Sequence, residues 1–425
     1  MMVVSCSPSA VLSSLAIRRA LRSSSRTAAF SSSLLKCCSS RNLSSTGTFF
    51  SSNDVSLDAL KSIVEVDTDI SSFDLAADVQ DNVLIYEAER VMESPKEAKS
   101  EWARALMDGP GIIVIKGAFN DAPLLDAITG SFENIIASER AEGLSEGDHF
   151  AAAGSNSRIW NAFEKLAVRT PELFVPYYAN PIIAMVSKAW LGPSYQITSQ
   201  VNIVHPGGAA QECHRDYHLG FHSDSTASLF PSHAHMLSQT LTLQGAVAHS
   251  DMPTSLGPTL FLPHSQKYKE GYVAWRNEGV KDYFSASRVQ LPLEKGDAVF
   301  FNPAVFHAAG ENVSADADRV ANLLQISSPM GRAMETVNTK RIVTSIYPHL
   351  SAFKMMSDAK LVENIVTAAS EGYPFPTNLD LDTPIGGDLA PQSQTDILRT
   401  ALAHDWDELQ LQEELEHQES RKRSA

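Results

Sequence analysis

Cysteine is scarce in this chain. Of its four, Cys6, Cys37 and Cys38 sit near the N-terminus, which leaves Cys213 alone in the body. One thiol builds neither an internal disulfide nor a thiolate metal cluster, so a reducing compartment is expected. No run of eighteen apolar residues occurs, and no membrane span is expected. Acidic residues are absent from residues 1–52, whereas that stretch holds Arg18, Arg19, Arg22, Arg26, Lys36 and Arg41. Setting those six aside from the 34 bases leaves 28 against 50 acids. No basic stripe remains for a nucleic acid to bind. Internal repeats are lacking as well.

What is present begins with that leader. An Arg- and Ser-rich segment without acids has the make-up of an organelle transit peptide, and a secretory signal would place its bases before the apolar stretch. Mitochondrial import is the first reading of residues 1–52, plastid import the second, and a plain disordered tail the alternative. The C-terminus, Arg421-Lys422-Arg423-Ser424-Ala425, is not a Ser-Lys-Leu address. Residues 53–104 read as helical, around Val83–Met92 and Ala98–Met107. Gly109-Pro110-Gly111 then opens a buried strand at Ile112–Ile115, and helical spacing returns over Ala122–Ala137. From about Gln196 short strands alternate with Pro/Gly turns: Ile197–Val204, Ser238–Ala248, Thr259–Leu262, Arg288–Leu291, Ala298–Phe301 and Ala321–Ser327. That texture predicts an α+β chain with a mainly β core, a double-stranded β-helix (jelly roll) with flanking helices. Residues 105–332 would form this domain. Residues 333–425 read as a helical extension, loose at Gly372–Gln394, whose tail, with Ile397, Leu398, Ala401, Leu402 and Leu409 at helical spacing, reads as a surface helix packed back on the body, a partner-binding helix being the alternative.

His-x-Asp occurs three times, as His214-Asp216, His222-Asp224 and His249-Asp251. A metal centre that must bind a co-substrate and O2 needs two imidazoles and one carboxylate on one face, with positions left open. Residues i and i+2 of an extended segment point the same way, so one strand end can supply His and Asp together. The second His must come from a strand far along the chain. His307 suits that role, after the Gly296-Asp297 turn and the apolar run Ala298–Phe301. His214-Asp216 follows a strand and the Pro206-Gly207-Gly208 turn. His222-Asp224 has no strand before it, and His249-Asp251 runs into what reads as a hairpin turn. Arg319 opens the next strand, where a guanidinium can meet a carboxylate through two parallel hydrogen bonds. The plainer readings are a strand-end histidine for His307 and a surface ion pair with Asp316 or Asp318 for Arg319.

The stretch from Gln200 to Gly331 resembles the phytanoyl-CoA dioxygenase family of iron(II)/2-oxoglutarate oxygenases. The matching pieces are Pro206-Gly207, His214-Arg215-Asp216, Gly257-Pro258-Thr259-Leu260-Phe261-Leu262-Pro263-His264-Ser265, Gly296-Asp297, His307-Ala308-Ala309-Gly310-Glu311-Asn312 and Arg319. Gly111–Phe119 looks like the family's opening strand. The family's usual Pro-Gly-Ser-His turn reads Pro263-His264-Ser265-Gln266 here. The resemblance implies His214, Asp216 and His307 as iron(II) ligands, Arg319 on the distal carboxylate of 2-oxoglutarate, and Asn202 beside that co-substrate, with O2 as the oxidant. It implies hydroxylation of a small organic or acyl-type substrate, since related halogenases replace the carboxylate that Asp216 supplies. Two readings stand against it: a jelly-roll metalloprotein without oxygenase activity, such as a cupin-like isomerase or binding protein, and an inactive scaffold. The first needs no dicarboxylate anchor such as Arg319, and the complete triad argues against the second. His218 and His222 read as solvated loop residues, and Cys213 as a buried small residue. Oligomeric state and substrate identity are not set by the sequence.

Overall fold

The computed structural model describes residues 48–143 and 155–424. Residues 1–47, most of the segment read as a transit peptide, lie outside them. Eleven strands occur among the described residues: β1 (Asp78–Gln80), β2 (Val83–Glu87), β3 (Ile112–Lys116), β4 (Asn156–Ile159), β5 (Gln196–Val204), β6 (Thr242–Ala248), β7 (Leu260–Leu262), β8 (Val289–Gln290), β9 (Ala298–Phe301), β10 (Phe306–Ala308) and β11 (Arg319–Ser327). Eight form one sheet in the order β1-β2-β3-β9-β6-β11-β5-β4, and three form a second in the order β10-β7-β8. All pairings are antiparallel except β2 with β3. The chain is therefore mixed, with a large sheet at its centre.

Alternation along the strands gives that sheet two different faces. Ile113, Ile115, Leu243, Val247, Phe300, Leu324 and Ile326 turn outward and share a buried cluster with helical residues. Those helices come from both ends of the chain, among them Ala122–Ala141, Pro171–Tyr178, Pro181–Leu191 and Thr339–Lys354. Ile342, Ile346, Leu350, Leu398 and Leu402 belong to the same cluster, so the C-terminal helices are part of this core. Leu409, read from its spacing as part of that apolar face, is exposed. The inner face carries Ile112, Val114, Ala246, Ala248, Val299, Phe301 and Ala321, which pack with Phe261 of the small sheet. The Phe261 and Phe301 rings meet edge to face with centroids 5.0 Å apart.

Three local expectations are corrected. Val83–Met92 does not form the expected helix. It instead splits into β2 and the short helix Ala88–Glu93. Val83-Leu84-Ile85-Tyr86 is apolar at every position and buried on both sides beside β3, which a strand permits and a one-sided helix does not. The expected strand Ser238–Ala248 begins only at Thr242, because residues before it complete the helix Ser232–Thr240. His307 lies inside β10, not at a strand end.

Candidate metal centre

After β5 the chain turns at Gly207, whose φ of +80° a side-chain-bearing residue rarely adopts. It then runs antiparallel to residues 303–312. Backbone N–H groups of Gly207, Gln211 and Asp216 donate to the carbonyls of Asn312, Ala309 and Pro303. His214 and His307 face each other in this ladder and exchange both hydrogen bonds, at 2.9 and 3.1 Å. His307 is in turn the register partner of Phe261. Cross-strand partners project from the same face, so His214, His307 and Phe261 form a row aimed at the large sheet. Asp216, two residues beyond His214, points the same way.

The three side chains converge. One ligand atom from each of His214, Asp216 and His307 lies within 4.8 Å of the others. No other such group of His, Cys, Asp or Glu occurs among the described residues. Asp216 Oδ2 is 3.5 Å from His307 Nε2 and 3.8 Å from His214 Nε2. Each imidazole is oriented from behind: Nδ1 of His214 meets the carbonyl of Glu212 at 2.8 Å, and Nδ1 of His307 meets that of Val305 at 2.9 Å. A carbonyl only accepts, so each Nδ1 carries a proton and each Nε2 is the atom turned toward the cluster. The Phe301 ring supports His307 edge to face at 4.8 Å. Burial opposes charge on Asp216, yet His214, His307 and Gln244 together outweigh it and hold the carboxyl below its usual range. Burial, with His307 close by, lowers the His214 pKa. Two imidazoles and one carboxylate are the donor set that suits non-haem iron(II).

The residue between the first two candidate ligands pins the segment. Arg215 is 2% exposed and points away from the cluster. Its guanidinium donates to the carbonyls of Ser265 and Tyr268 and lies over the rings of Phe306 and Tyr272. It fits only because Gly271 has no side chain: a Cβ there would stand 1.8 Å from Arg215 Cζ.

Arg319 and Asn202 share the inner face. Arg319 pairs with Val204 and Ala321 with Asn202, which places the two side chains diagonally on adjacent strands. Arg319 is 6% exposed. Its side chain makes one long hydrogen bond, 3.4 Å to the Gly310 carbonyl, and no ion pair among the described residues. Asp318, one of the two acids considered as its partner, bonds His205 instead at 2.9 Å. Desolvation alone pushes the Arg319 guanidinium down to about 10. Asn202 Oδ1 is also buried without a partner. The inner face thus holds an uncompensated cation beside an open amide.

The other His-x-Asp pairs are occupied elsewhere. His249 lies on the helical side of the sheet, where Thr129 Oγ1 and Tyr177 OH, each at 2.9 Å, engage both ring nitrogens. His222 is exposed, and Asp224 pairs with Arg276 at 2.7 Å. His218 contacts Thr242 at 3.4 Å, and Cys213 is buried. The sequence reading missed Gln244, whose amide donates to Asp216 Oδ2 at 2.6 Å, and Tyr217, Arg215 and Gly271. The signal for Gln244 is a polar residue in the middle of a largely apolar strand.

A family model described as phytanoyl-CoA dioxygenase matches residues 107–321, slightly more than half of the chain. Among curated proteins, the peroxisomal phytanoyl-CoA dioxygenase of Bos taurus is 42% identical over 62 residues, 14% of this chain and 18% of that protein. The Homo sapiens enzyme of the same name is 43% identical over 51 residues, 12% and 15% of the two chains. These matches span less than a fifth of the relatives' length. Among solved structures, the non-haem α-ketoglutarate-dependent epimerase SnoN from nogalamycin biosynthesis is 17% identical with a TM-score of 0.39, covering 55% of this chain and 81% of its own. The carbocyclase SnoK is 18% identical with a TM-score of 0.38, covering 54% and 84%.

Proposed function

The chain belongs to the phytanoyl-CoA dioxygenase family, whose members depend on iron(II) and 2-oxoglutarate, and from that premise we propose that it hydroxylates a small organic or acyl-type substrate. His214, Asp216 and His307 hold the iron in this reading, and Arg319 anchors the co-substrate's distal carboxylate. Bound iron and 2-oxoglutarate would supply the O2-activating and hydrogen-abstracting chemistry, as cofactors generally do. The protein's own part is geometric and electrostatic. The two fixed Nδ1–H groups keep both Nε2 atoms aimed at one point. Phe261, Phe301, Val299 and Leu323 line the inner face with apolar surface that would limit water there. Turning the Asn202 amide over presents its NH2 to an anionic neighbour. Beyond Asp216, Tyr217 contacts Phe221 and Met334, both exposed apolar side chains. They would meet the apolar part of the substrate at the entrance.

The observation that carries this reading is Arg319: a buried cation with no acid beside it, on the face that receives the His-Asp-His row. A metalloprotein that binds no dicarboxylate has no use for it. The two facing sheets are read here as the halves of a double-stranded β-helix spanning residues 105–332, flanked by 53–104 and 333–425. The leader 1–52 is proposed to direct the chain to mitochondria, with plastids as the other destination, although the curated relatives are named as peroxisomal. No helix among the described residues is long and apolar enough to cross a membrane. The test is anaerobic titration of the full chain with iron(II) and then 2-oxoglutarate, followed by succinate release across acyl-CoAs, free acids and small amines. One metal per chain, a visible charge-transfer band on adding 2-oxoglutarate and substrate-stimulated succinate are expected. Metal binding without that band would support the non-oxygenase alternative.

A further inference from the structure

Gln244 sits on β6, near the middle of the eight-stranded sheet, as the register partner of Phe301 on one side and Gln325 on the other. Its side chain is 4% exposed and stands on the inner face. One end of the amide donates to Asp216 Oδ2 at 2.6 Å. That oxygen is the one nearest both histidine Nε2 atoms. The other end, Oε1, is buried with no partner. Reversing the amide would press Oε1 against a carboxylate, so the donor must face Asp216. A residue kept for packing alone would leave no buried acceptor unmatched, and methionine would fill the same space without one.

The next residue is held in parallel. Tyr217 has φ 51° and ψ 147°, a backbone region that bulky side chains almost never occupy. Its hydroxyl donates to Gln325 Oε1 at 2.6 Å, and its carbonyl accepts from Ser238 Oγ at 3.0 Å. Two glutamines that are neighbours across β6 and β11 therefore hold two consecutive residues, Asp216 and Tyr217. Asp216 ends an extended run whose last ladder bond is its own N–H to the Pro303 carbonyl. Without side-chain restraint the carboxylate would be free to swing about its χ angles.

We propose that Gln244 is a positioning residue for the Asp216 carboxylate and sets the affinity of the metal centre. This rests on the reading that His214, Asp216 and His307 bind the metal. Gln244 acts through the oxygen it holds. Loss of a partner behind a metal ligand typically weakens metal affinity about ten- to a hundredfold.

The test is cobalt(II) titration of the metal-free full chain, comparing the unchanged protein, Gln244→Met, Gln244→Asn and His307→Ala. Gln244→Met is expected to weaken binding about ten- to a hundredfold and to shift the visible ligand-field spectrum at saturation. Its metal-free thermal midpoint should stay close to that of the unchanged protein, because loss of the bond to Asp216 is offset by removal of the unmatched Oε1. Gln244→Asn keeps an amide but is one methylene too short to reach, and carries the same comparison if the methionine variant does not fold. An unchanged Kd and spectrum in Gln244→Met, with His307→Ala unable to bind, overturns the role of Gln244 alone. So does weakening that only tracks a fall in the metal-free midpoint, which marks a structural residue. No cobalt binding by the unchanged chain overturns the metal reading and this one together.

Discussion

Replacing Arg319 should separate stability from co-substrate binding in opposite directions. The guanidinium is buried, makes one long bond and has no acid beside it. Desolvation lowers its pKa from 12.5 to about 10. At about 1.36 kcal/mol per unit, keeping it charged costs the free protein on the order of 3 kcal/mol. The sign follows from linkage: a base whose folded pKa is depressed destabilises the fold at every pH where it stays charged, here below about 10. Arg319→Met keeps most of the apolar stem and removes the charge. The metal-free protein should then gain roughly 1–3 kcal/mol, the lower figure allowing for imperfect packing. The same change should abolish 2-oxoglutarate binding. Arg319→Lys keeps the charge but offers a point donor in place of a fork. A charge-assisted contact contributes about 1.5–3 kcal/mol, so the Kd for 2-oxoglutarate should rise roughly ten- to a hundredfold with iron still bound. Urea unfolding of the metal-free variants reads the first effect, and the charge-transfer band of the anaerobic iron protein reads the second. An unchanged Kd in both variants, or a less stable Arg319→Met, would refute the reasoning.

Other expectations follow from the same geometry. His214→Ala and His307→Ala should each lose iron(II) binding by equilibrium dialysis, whereas His249→Ala should retain it. The opposite pattern would move the centre to the third His-x-Asp pair. His249 gives a pH signature: burial first and Lys295 second hold its ring down to about 3, while the unfolded ring titrates near 6.5. The unfolded chain therefore takes up a proton below pH 6.5 that the fold refuses until about 3. Stability should fall as pH drops through that window, by up to about 1.4 kcal/mol per unit, and His249→Gln should flatten the slope in urea melts. Gly271→Ala should displace Arg215, cost about 1–3 kcal/mol and weaken metal binding; wild-type binding would show that Arg215 does not fix the segment. Residues 1–52 fused to a fluorescent reporter should reach mitochondria, and a diffuse cytosolic signal would count against import.

Much of the candidate site was legible because the chemistry proposed for it demands particular residues at particular spacings. His214-Asp216 and His307 stood out through i, i+2 geometry and a distant partner strand, and Arg319 through its place at the start of β11. Gln244, Gln325 and Tyr217 were not legible. Their roles depend on register, and nothing local says that residue 244 will lie beside 325 or above Asp216. Arg215 and Gly271 escaped notice for the same reason, since a guanidinium 56 residues away is what forbids a side chain at 271. Val83–Tyr86 misled because a short apolar run has no period to tell a strand from a buried helix. Only its pairing with β3 decides it.

The backbone exchange between His214 and His307 also dates the site in the life of the chain. These residues are 93 positions apart. At about 5–20 residues per second, synthesis delivers His307 roughly 5–20 s after His214. Until then only His214 and Asp216 exist, a two-donor fragment on an unpaired segment that would hold a metal weakly. The bridge that brings the second imidazole is made of peptide groups and requires no ion. Folding of the chain therefore brings the three proposed ligands together through peptide hydrogen bonds. Chains made in iron-starved cells should accumulate as folded, metal-free protein that loads on later addition of iron.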